Sequence, residues 1–206
     1  MASFNPHCQS CPRLVGFLDQ IKTEKPDYFN APVDAFGDTE PKLLIIGLAP
    51  GKHGANRTGR PFTGDASGHL LYKSLFGLGL ASKAESRHRD DELVLKGVRI
   101  TNAVKCLPPQ NKPDTSEIKN CNKYLIDEIK MLPEECRLLA LGKLAHEAIL
   151  RAYGLKLSSR KFSHGSEHKL PDGRILIDSF HCSRYNTQTR RLTEDMFQKV
   201  LLQAAG

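Results

Sequence analysis

The sequence contains no tryptophan, and aromatic residues make up only 7% of its 206 positions. It also has no uninterrupted apolar run of about 18 residues, the length that a membrane-spanning helix needs, so no membrane association is expected. The first residues, MASFNPHCQSCPR, lack the charged-then-apolar order of a secretory signal, which predicts a cytoplasmic, reducing location. Internal repeats and linkers are absent as well, and the length predicts a single domain over residues 1–206.

Acidic residues are fewer than basic ones. The 30 Lys and Arg residues against 23 Asp and Glu residues give a formal net charge of +7. Such a balance suits a polyanionic partner without proving one. Six cysteines in a reducing location favour metal binding over disulfide bonds.

Strand-like apolar runs alternate with helical patterns along the chain. The apolar runs are Lys42–Leu48, Val98–Val104, Arg137–Leu141 and Arg174–Phe180. The helical patterns are Pro12–Lys22, Gly68–Phe76, Ser116–Met131, Lys143–Tyr153 and Leu192–Gln203. This alternation predicts an α/β fold with a mainly parallel sheet covered on both faces. Ligands of such folds bind beyond the carboxyl ends of the strands, where a glycine-rich segment, Asn102 and His181 are found.

The glycine-rich segment, GLAPGKHGANRTGRPFTGDASG, occupies residues 47–68 directly after the first apolar run. Glycines this dense allow backbone to approach a ligand closely. The segment also contains an aromatic ring, a carboxylate and two basic side chains: Phe62, Asp65, Arg57 and Arg60. It is not a P-loop, because Lys52 stands where that motif requires glycine, and no dinucleotide-binding G-x-G-x-x-G follows the strand. Asp65 also suits the N-cap of the next helix, so capping and catalysis both stay open.

Four of the cysteines are candidate metal ligands. Two form a C-x2-C pair near the N-terminus and two are separated by 14 residues: Cys8, Cys11, Cys106 and Cys121. Four thiolates can hold tetrahedral zinc or an iron–sulfur cluster, and the spacing alone leaves both open.

The remaining cysteines and three histidines have simpler interpretations. Cys136 and Cys182 are expected to be buried hydrophobic residues. The histidines have no ligand spacing to the cysteines and are expected on the surface or on a helix face: His146, His164 and His168.

Three segments together resemble type-5 uracil-DNA glycosylases: GLAPGKHGANRTGRPFTGD, ITNAVKCLPPQNKP with the later Cys121, and HCSRYNTQTRRLT. The similarity runs from Cys8 to Thr193, nearly the whole chain. It implies a three-layer α/β/α sandwich with a four-stranded parallel sheet, and a [4Fe–4S] cluster on the four cysteines in preference to zinc. The implied activity is removal of uracil, and of other deaminated bases such as hypoxanthine and xanthine, from DNA. One departure is Cys182, since related enzymes usually have proline after the histidine.

The resemblance assigns roles that agree with the chemistry of the residues. A flipped base must be stacked and read at its polar edge, for which Phe62 and Asn102 are suited. His181 and backbone N–H groups would stabilise the uracil anion. Asp65 is the candidate to activate water, because Ala49 replaces the polar side chain of other types. The base-binding set is predicted to be Gly47, Ala49, Pro50, Gly51, Phe62, Asn102 and His181.

DNA binding is assigned to four polar residues: Arg57, Arg60, Arg184 and Asn186. The expected enzyme is a monomer that hydrolyses the glycosidic bond and leaves an abasic site. The alternative is a non-catalytic DNA-binding module held together by a metal site. Ala49 favours this alternative, because it replaces the usual polar catalytic side chain.

Overall fold

The computed structural model describes residues 4–206, and a six-stranded sheet runs through their centre. The strands are β1 (Phe36–Gly37), β2 (Leu43–Gly47), β3 (Val98–Asn102), β4 (Arg137–Leu141), β5 (Glu167–Lys169) and β6 (Ile175–Ser179). They lie in the order β1-β3-β2-β4-β6-β5. The four inner strands are parallel, while β1 and β5 pair antiparallel at the two edges. The predicted four-stranded parallel sheet is therefore corrected to the centre of a mixed six-stranded sheet.

Helices cover both faces of this sheet. They are α1 (Pro12–Glu24), α2 (Ala55–Thr58), α3 (Ala66–Gly77), α4 (Thr115–Lys130), α5 (Lys143–Ala152), α6 (Arg184–Gln188) and α7 (Glu194–Ala205). One core joins α1, α4 and α5 to one face, and the other core joins α3 and α7 to the opposite face. Strand residues alternate between these cores, because successive side chains of a strand point to opposite faces: Leu44 and Ile46 enter the first, Leu43 and Ile45 the second.

The parallel strands bring their carboxyl ends to one edge of the sheet. Gly47 at the end of β2 pairs in register with Asn102 at the end of β3. β6 ends at Ser179, two residues before His181. The loops after these three strands therefore meet, as the sequence predicts for an α/β fold. Among residues 4–206, no helix combines the length and apolar character that crossing a membrane requires.

Candidate active site and four-cysteine site

A cavity of about 310 Å³ opens where the loops after β2, β3 and β6 meet. This size lies at the lower end of the range for small-ligand pockets. The cavity is lined by Leu48, Ala49, Gly51, Ala55, Phe62, Asp65, Ser67, Asn102, Asn111, His181 and Ser183. Ala49, Gly51, Phe62, Asp65, Asn102 and His181, all predicted site residues, are thus brought to one place.

Phe62 forms one wall of the cavity, and its ring stacks on that of His181. The two ring centroids are 5.9 Å apart and the planes are inclined by 28°. Phe62 adopts a φ of +53°, which is rare for an aromatic residue and points to strain held at a functional site. The strained turn aims the ring back across the end of β2.

Asn102 and Phe62 approach the backbone of β2 so closely that only glycine fits there. A Cβ atom on Gly47 would lie 2.5 Å from Asn102 Oδ1 and 2.6 Å from Phe62 Cζ. Asn102 is almost fully buried, yet its side chain forms no hydrogen bond within residues 4–206. A buried amide without a protein partner, facing a cavity, is suited to pair with a polar ligand edge.

Asp65 uses its two carboxylate oxygens differently. Oδ1 accepts a hydrogen bond of 2.9 Å from the N–H of Gly68 and so caps helix α3. Oδ2 points at the first loop, where a Cβ on Gly51 would lie 3.3 Å from it. A Cβ on Gly54 would lie closer still, 2.1 Å from Oδ2. Because Asp65 also lines the cavity, the capping and catalytic interpretations are compatible.

His181 is held as a neutral imidazole beside this carboxylate. Burial lowers the pKa of His181 below its ordinary value, and the charge of Asp65 opposes that shift only in part. The amide of Asn186 donates a 2.8 Å hydrogen bond to the backbone oxygen of His181. A neutral imidazole keeps one N–H donor, which is what stabilisation of an anionic leaving group requires.

Five cavity residues were not predicted from the sequence: Leu48, Ala55, Ser67, Asn111 and Ser183. Asn111 has a φ of +57° and follows Gln110, which has a φ of +54°, in a turn between prolines. Two successive left-handed residues without glycine are unusual, and the segment PPQNKP was the available signal. Ser183 caps α6 through the N–H of Asn186 at 3.4 Å.

The predicted DNA-contacting residues have different positions. Arg184 is exposed at the start of α6. Arg57 is also exposed, with its Nε donating to the backbone oxygen of His53 at 2.8 Å. Asn186 directs its amide inward to His181, as described above.

The position of Arg60 does not fit the prediction that it contacts DNA. Only 4% of the residue is exposed, and Nη1 forms a 2.6 Å ion pair with Asp91. The guanidinium also donates to Ser86 and to the backbone of Arg89, and it packs over the ring of Phe36. A buried, fully partnered guanidinium stabilises the loop that follows α3 and is not available to phosphates.

The four cysteines predicted as ligands come together away from the cavity, between α1, the loop after β3, and α4. They line a small cleft with Leu14, Val15 and Tyr124. Burial raises the pKa of Cys106 to about 12, and the nearby sulfurs of Cys121, Cys8 and Cys11 act in the same direction. Four sulfurs this close together can all become thiolates only when a bound cation balances their charge.

The spacing of the sulfurs bears on the choice of metal. Tetrahedral zinc has Zn–S bonds of about 2.3 Å, which places sulfurs ~3.8 Å apart. Among the residues that the structure describes, no three of these sulfurs lie within 4.8 Å of one another. The N–H of Lys105 donates to Cys121 Sγ at 3.3 Å, and the amide of Asn120 to Cys11 Sγ at 3.8 Å. Four thiol ligands with sulfurs this far apart fit an iron–sulfur cluster better than a single zinc ion.

The other cysteines and two histidines complete the comparison with the sequence. Cys136 and Cys182 are buried in the cores, as expected. His146, however, is 1% exposed and pairs with Asp178, and His168 contacts the same carboxylate. His146 lies on helix α5, as one of the two expectations has it, but it is buried, and His168 lies on β5 and not on the open surface or a helix. A single histidine in a helical pattern does not reveal a carboxylate on a distant strand.

Comparison with known proteins gives the same picture. Residues 35–205 match the family model described as the uracil DNA glycosylase superfamily. The chain is 49% identical to a type-5 uracil-DNA glycosylase of Thermus thermophilus, covering 96% of this chain and 92% of that protein. It is 40% identical to a type-5 uracil-DNA glycosylase of Pyrobaculum aerophilum, covering 97% and 88%. A type-4 uracil-DNA glycosylase of the same organism is 39% identical over 71% of this chain and 66% of that protein.

Proposed function

The chain belongs to the uracil-DNA glycosylase superfamily, and we propose that it is a DNA-repair enzyme that hydrolyses the N-glycosidic bond of uracil in DNA. One observation carries the proposal: Phe62, Asn102, His181 and Asp65 line a single cavity at the carboxyl ends of the parallel strands. These side chains supply a stacking face, an edge-reading amide, an imidazole donor and a carboxylate.

The base is bound outside the duplex in this proposal. A nucleotide must leave the stack before its glycosidic bond can be reached, and the pocket then recognises the base by its face and its edge. Phe62 stacks on the flipped base, and the unpartnered amide of Asn102 donates and accepts at its polar edge. A side chain at Gly47 would collide with Asn102 and Phe62, the two residues that hold the base.

Bond cleavage leaves negative charge on the base and positive charge on the sugar. The N–H of neutral His181 stabilises the base anion, a type of donor that contributes about 10²–10³ in rate in comparable sites. Asp65 Oδ2 orients a water molecule towards the sugar, because Ala49 has no polar atom for that role. A positioned general base contributes roughly 10²–10⁴. Water then completes the reaction without a covalent enzyme intermediate and leaves an abasic site.

Cys8, Cys11, Cys106 and Cys121 would hold a [4Fe–4S] cluster. When bound, that group supplies structural cross-linking of the N-terminal segment to the loop after β3 and to α4. The cleft shares no lining residue with the cavity, and base hydrolysis transfers no electrons, so these residues contribute to shape and not to a chemical step.

The substrate range extends beyond uracil in the proposal. Hypoxanthine and xanthine share a carbonyl beside a ring N–H, the pattern that an amide can read.

The test uses end-labelled duplexes that contain uracil, hypoxanthine or xanthine at one position, with an otherwise identical thymine duplex as control. The proposal predicts strand breaks only after alkali, because a monofunctional glycosylase leaves an intact backbone. Breakage without alkali would contradict the monofunctional mechanism. Ala49 favours the alternative, a DNA-binding module without activity; tight binding to the uracil duplex with no alkali-dependent break would support that alternative.

A further inference from the structure

The segment that carries His181 is anchored at successive residues. The N–H of Gly142 donates to the backbone oxygen of Ser179 at 2.8 Å. The N–H of Phe180 donates to Nδ1 of His164 at 3.1 Å. Because Phe180 directly precedes His181, these bonds fix the direction in which the imidazole leaves β6.

Asp178, three residues before His181, is anchored most strongly. It is fully buried, and its Oδ1 lies 2.7 Å from Nδ1 of His146 on α5. Nε2 of His146 lies 3.1 Å from the backbone oxygen of Arg160. A carboxylate and a carbonyl are both obligate acceptors, so both ring nitrogens of His146 must carry protons. His146 is therefore an imidazolium that balances the charge of Asp178.

The surroundings of this pair support a charged His146. Nε2 of His168 on β5 donates to Asp178 Oδ2 at 3.0 Å, and Glu147 on α5 adds a second negative charge nearby. Burial alone would lower the pKa of His146, but Asp178, the backbone oxygen of Arg160 and Glu147 together more than offset it, and the pKa lies above its ordinary value. With three donors on Asp178, including the N–H of Ser163 at 3.4 Å, the carboxylate is satisfied without a metal ion.

His164 has the opposite requirement. Its Nδ1 accepts the N–H of Phe180, so that nitrogen must be unprotonated. The His164 ring stacks on that of Phe180 with centroids 5.0 Å apart, and the guanidinium of Arg191 lies 4.6 Å from the Phe180 ring. Burial lowers the pKa of His164, and a contact with the backbone of Met196 opposes this only weakly.

We propose that His146, Asp178 and His164 are positioning residues for His181, and that they hold it in place only when His146 is charged and His164 is neutral. The proposal rests on the role of His181 in the proposed function. The consequence is a pH range in which His181 is correctly placed, and the limits of this range are set by two histidines that do not touch the substrate.

This pH range follows from the directions in which the pKa values of His146 and His164 are shifted. His146 has a raised pKa, so its contribution to stability is complete below about 6.5 and is lost as pH rises through the folded-state value. His164 has a lowered pKa, so its contribution is complete above about 6.5 and is lost as pH falls through the folded-state value. Both hydrogen-bonded anchors are therefore intact at pH values between the folded-state pKa of His164 and that of His146.

Ring-nitrogen NMR of the histidines tests the protonation states without any activity measurement. At about pH 6.5 we expect both nitrogens of His146 to be protonated, Nδ1 of His164 to be bare, and the Phe180 amide signal to titrate with His164. A singly protonated His146 would overturn the proposal. Stoichiometric zinc binding that disappears in His146→Asn would also overturn it, because His146, His168 and Asp178 would then be metal ligands.

Single-turnover excision of uracil tests the positioning itself. His164→Ala should lower the rate roughly tenfold at every pH, because small misplacements of a catalytic group are costly. His164→Asn offers a non-titrating acceptor and should keep the neutral-pH rate while changing the acid limb, which then reports on the remaining groups such as His181. Asp178→Asn should lower the rate similarly with DNA affinity unchanged, and exposed His88→Asn is the matched control with an unchanged profile.

The two proposals fail in distinguishable ways. An inactive wild-type protein with the expected ring protonation would reject the glycosylase function and leave the anchoring intact. A wild-type protein that excises uracil, together with full rates and an unchanged pH profile in His164→Ala and Asp178→Asn, would reject the positioning role alone.

Discussion

At the scale of single residues, Asp65 performs two tasks with one carboxylate. Its Oδ1 caps α3 while its Oδ2 faces the glycine loop at the cavity. A helix cap is stabilising by about 1 kcal/mol and restricts the side chain to one rotamer. The structural bond therefore orients the oxygen that the proposed mechanism uses.

Substitutions at Asp65 separate these tasks. We expect Asp65→Ala to lose about 10²-fold in single-turnover excision and roughly 1 kcal/mol of stability. Asp65→Ser should recover the cap and the stability but not the rate, because a hydroxyl cannot act as a carboxylate base. Thermal unfolding and quenched-flow excision measure the two effects. An active Asp65→Ser enzyme would leave Asp65 with the cap alone.

Gly47 offers a second residue-scale prediction. Gly47→Ala should reduce excision by about 10²-fold, because its methyl group would displace Asn102 and the ring of Phe62. Gly16→Ala is the matched control, since Gly16 is exposed on α1 and a Cβ there meets nothing within 4 Å. That change should add about 0.5–1 kcal/mol of stability and leave excision unchanged. Equal activities of the two variants would contradict the close packing of the base pocket.

At the scale of elements, the short helix α6 links the active site to the surface. Ser183 caps it, Asn186 turns inward to the backbone of His181, and Arg184 and Tyr185 face solvent. An exposed cation and an exposed ring beside the cavity mouth suit phosphate contact and insertion into a duplex that has lost a base. In the proposed function, one helix would thus join DNA contact to the placement of His181.

Arg184→Ala should weaken DNA binding and reduce the salt slope of log affinity by about one unit. Lys199→Ala on α7 is the control, because this exposed lysine pairs with Asp195 on a helix that packs against the sheet face. Fluorescence anisotropy at several salt concentrations gives both slopes. An unchanged slope for Arg184→Ala would remove the phosphate contact from the proposal.

At the scale of the whole molecule, the cysteines join parts of the chain that the sheet does not. Cys8 and Cys11 precede α1, Cys106 follows β3, and Cys121 lies in α4. The same region is reinforced by Arg13, which donates to Glu117 at 2.7 Å and to the backbone of Lys112 at 3.2 Å. Asn111, which lines the cavity, therefore lies between two of the proposed cluster ligands, Cys106 and Cys121.

Removing a ligand should test the cross-link. Cys106→Ser is expected to lose iron and visible absorbance and to lower the unfolding temperature. The control is Cys136→Ala, which should keep the iron because Cys136 is buried directly before β4 and is not a proposed ligand. Iron and sulfide analysis of anaerobically purified protein measures the content. Stoichiometric zinc without iron in the wild type would replace the cluster with a zinc site.

The inner strands and the long helices were predictable from local pattern. Apolar runs placed β2, β3, β4 and β6 within two residues of their bounds, and helical periodicity did the same for the five long helices. The edge strands were not predictable, because β1 has two residues and β5 is Glu-His-Lys, with no apolar run in either. Such strands exist only because a neighbouring strand offers unpaired backbone groups.

The sequence by itself determined the fold class, the family and the types of residue at the carboxyl ends of the strands. Only the tertiary structure decided their partners: Phe62 stacks on His181, Arg60 pairs with Asp91, and His146 with Asp178. Local periodicity reports which side of an element is buried, and it carries no information on which distant group meets it there. That pairing depends on strand order and helix packing, which act over the whole chain.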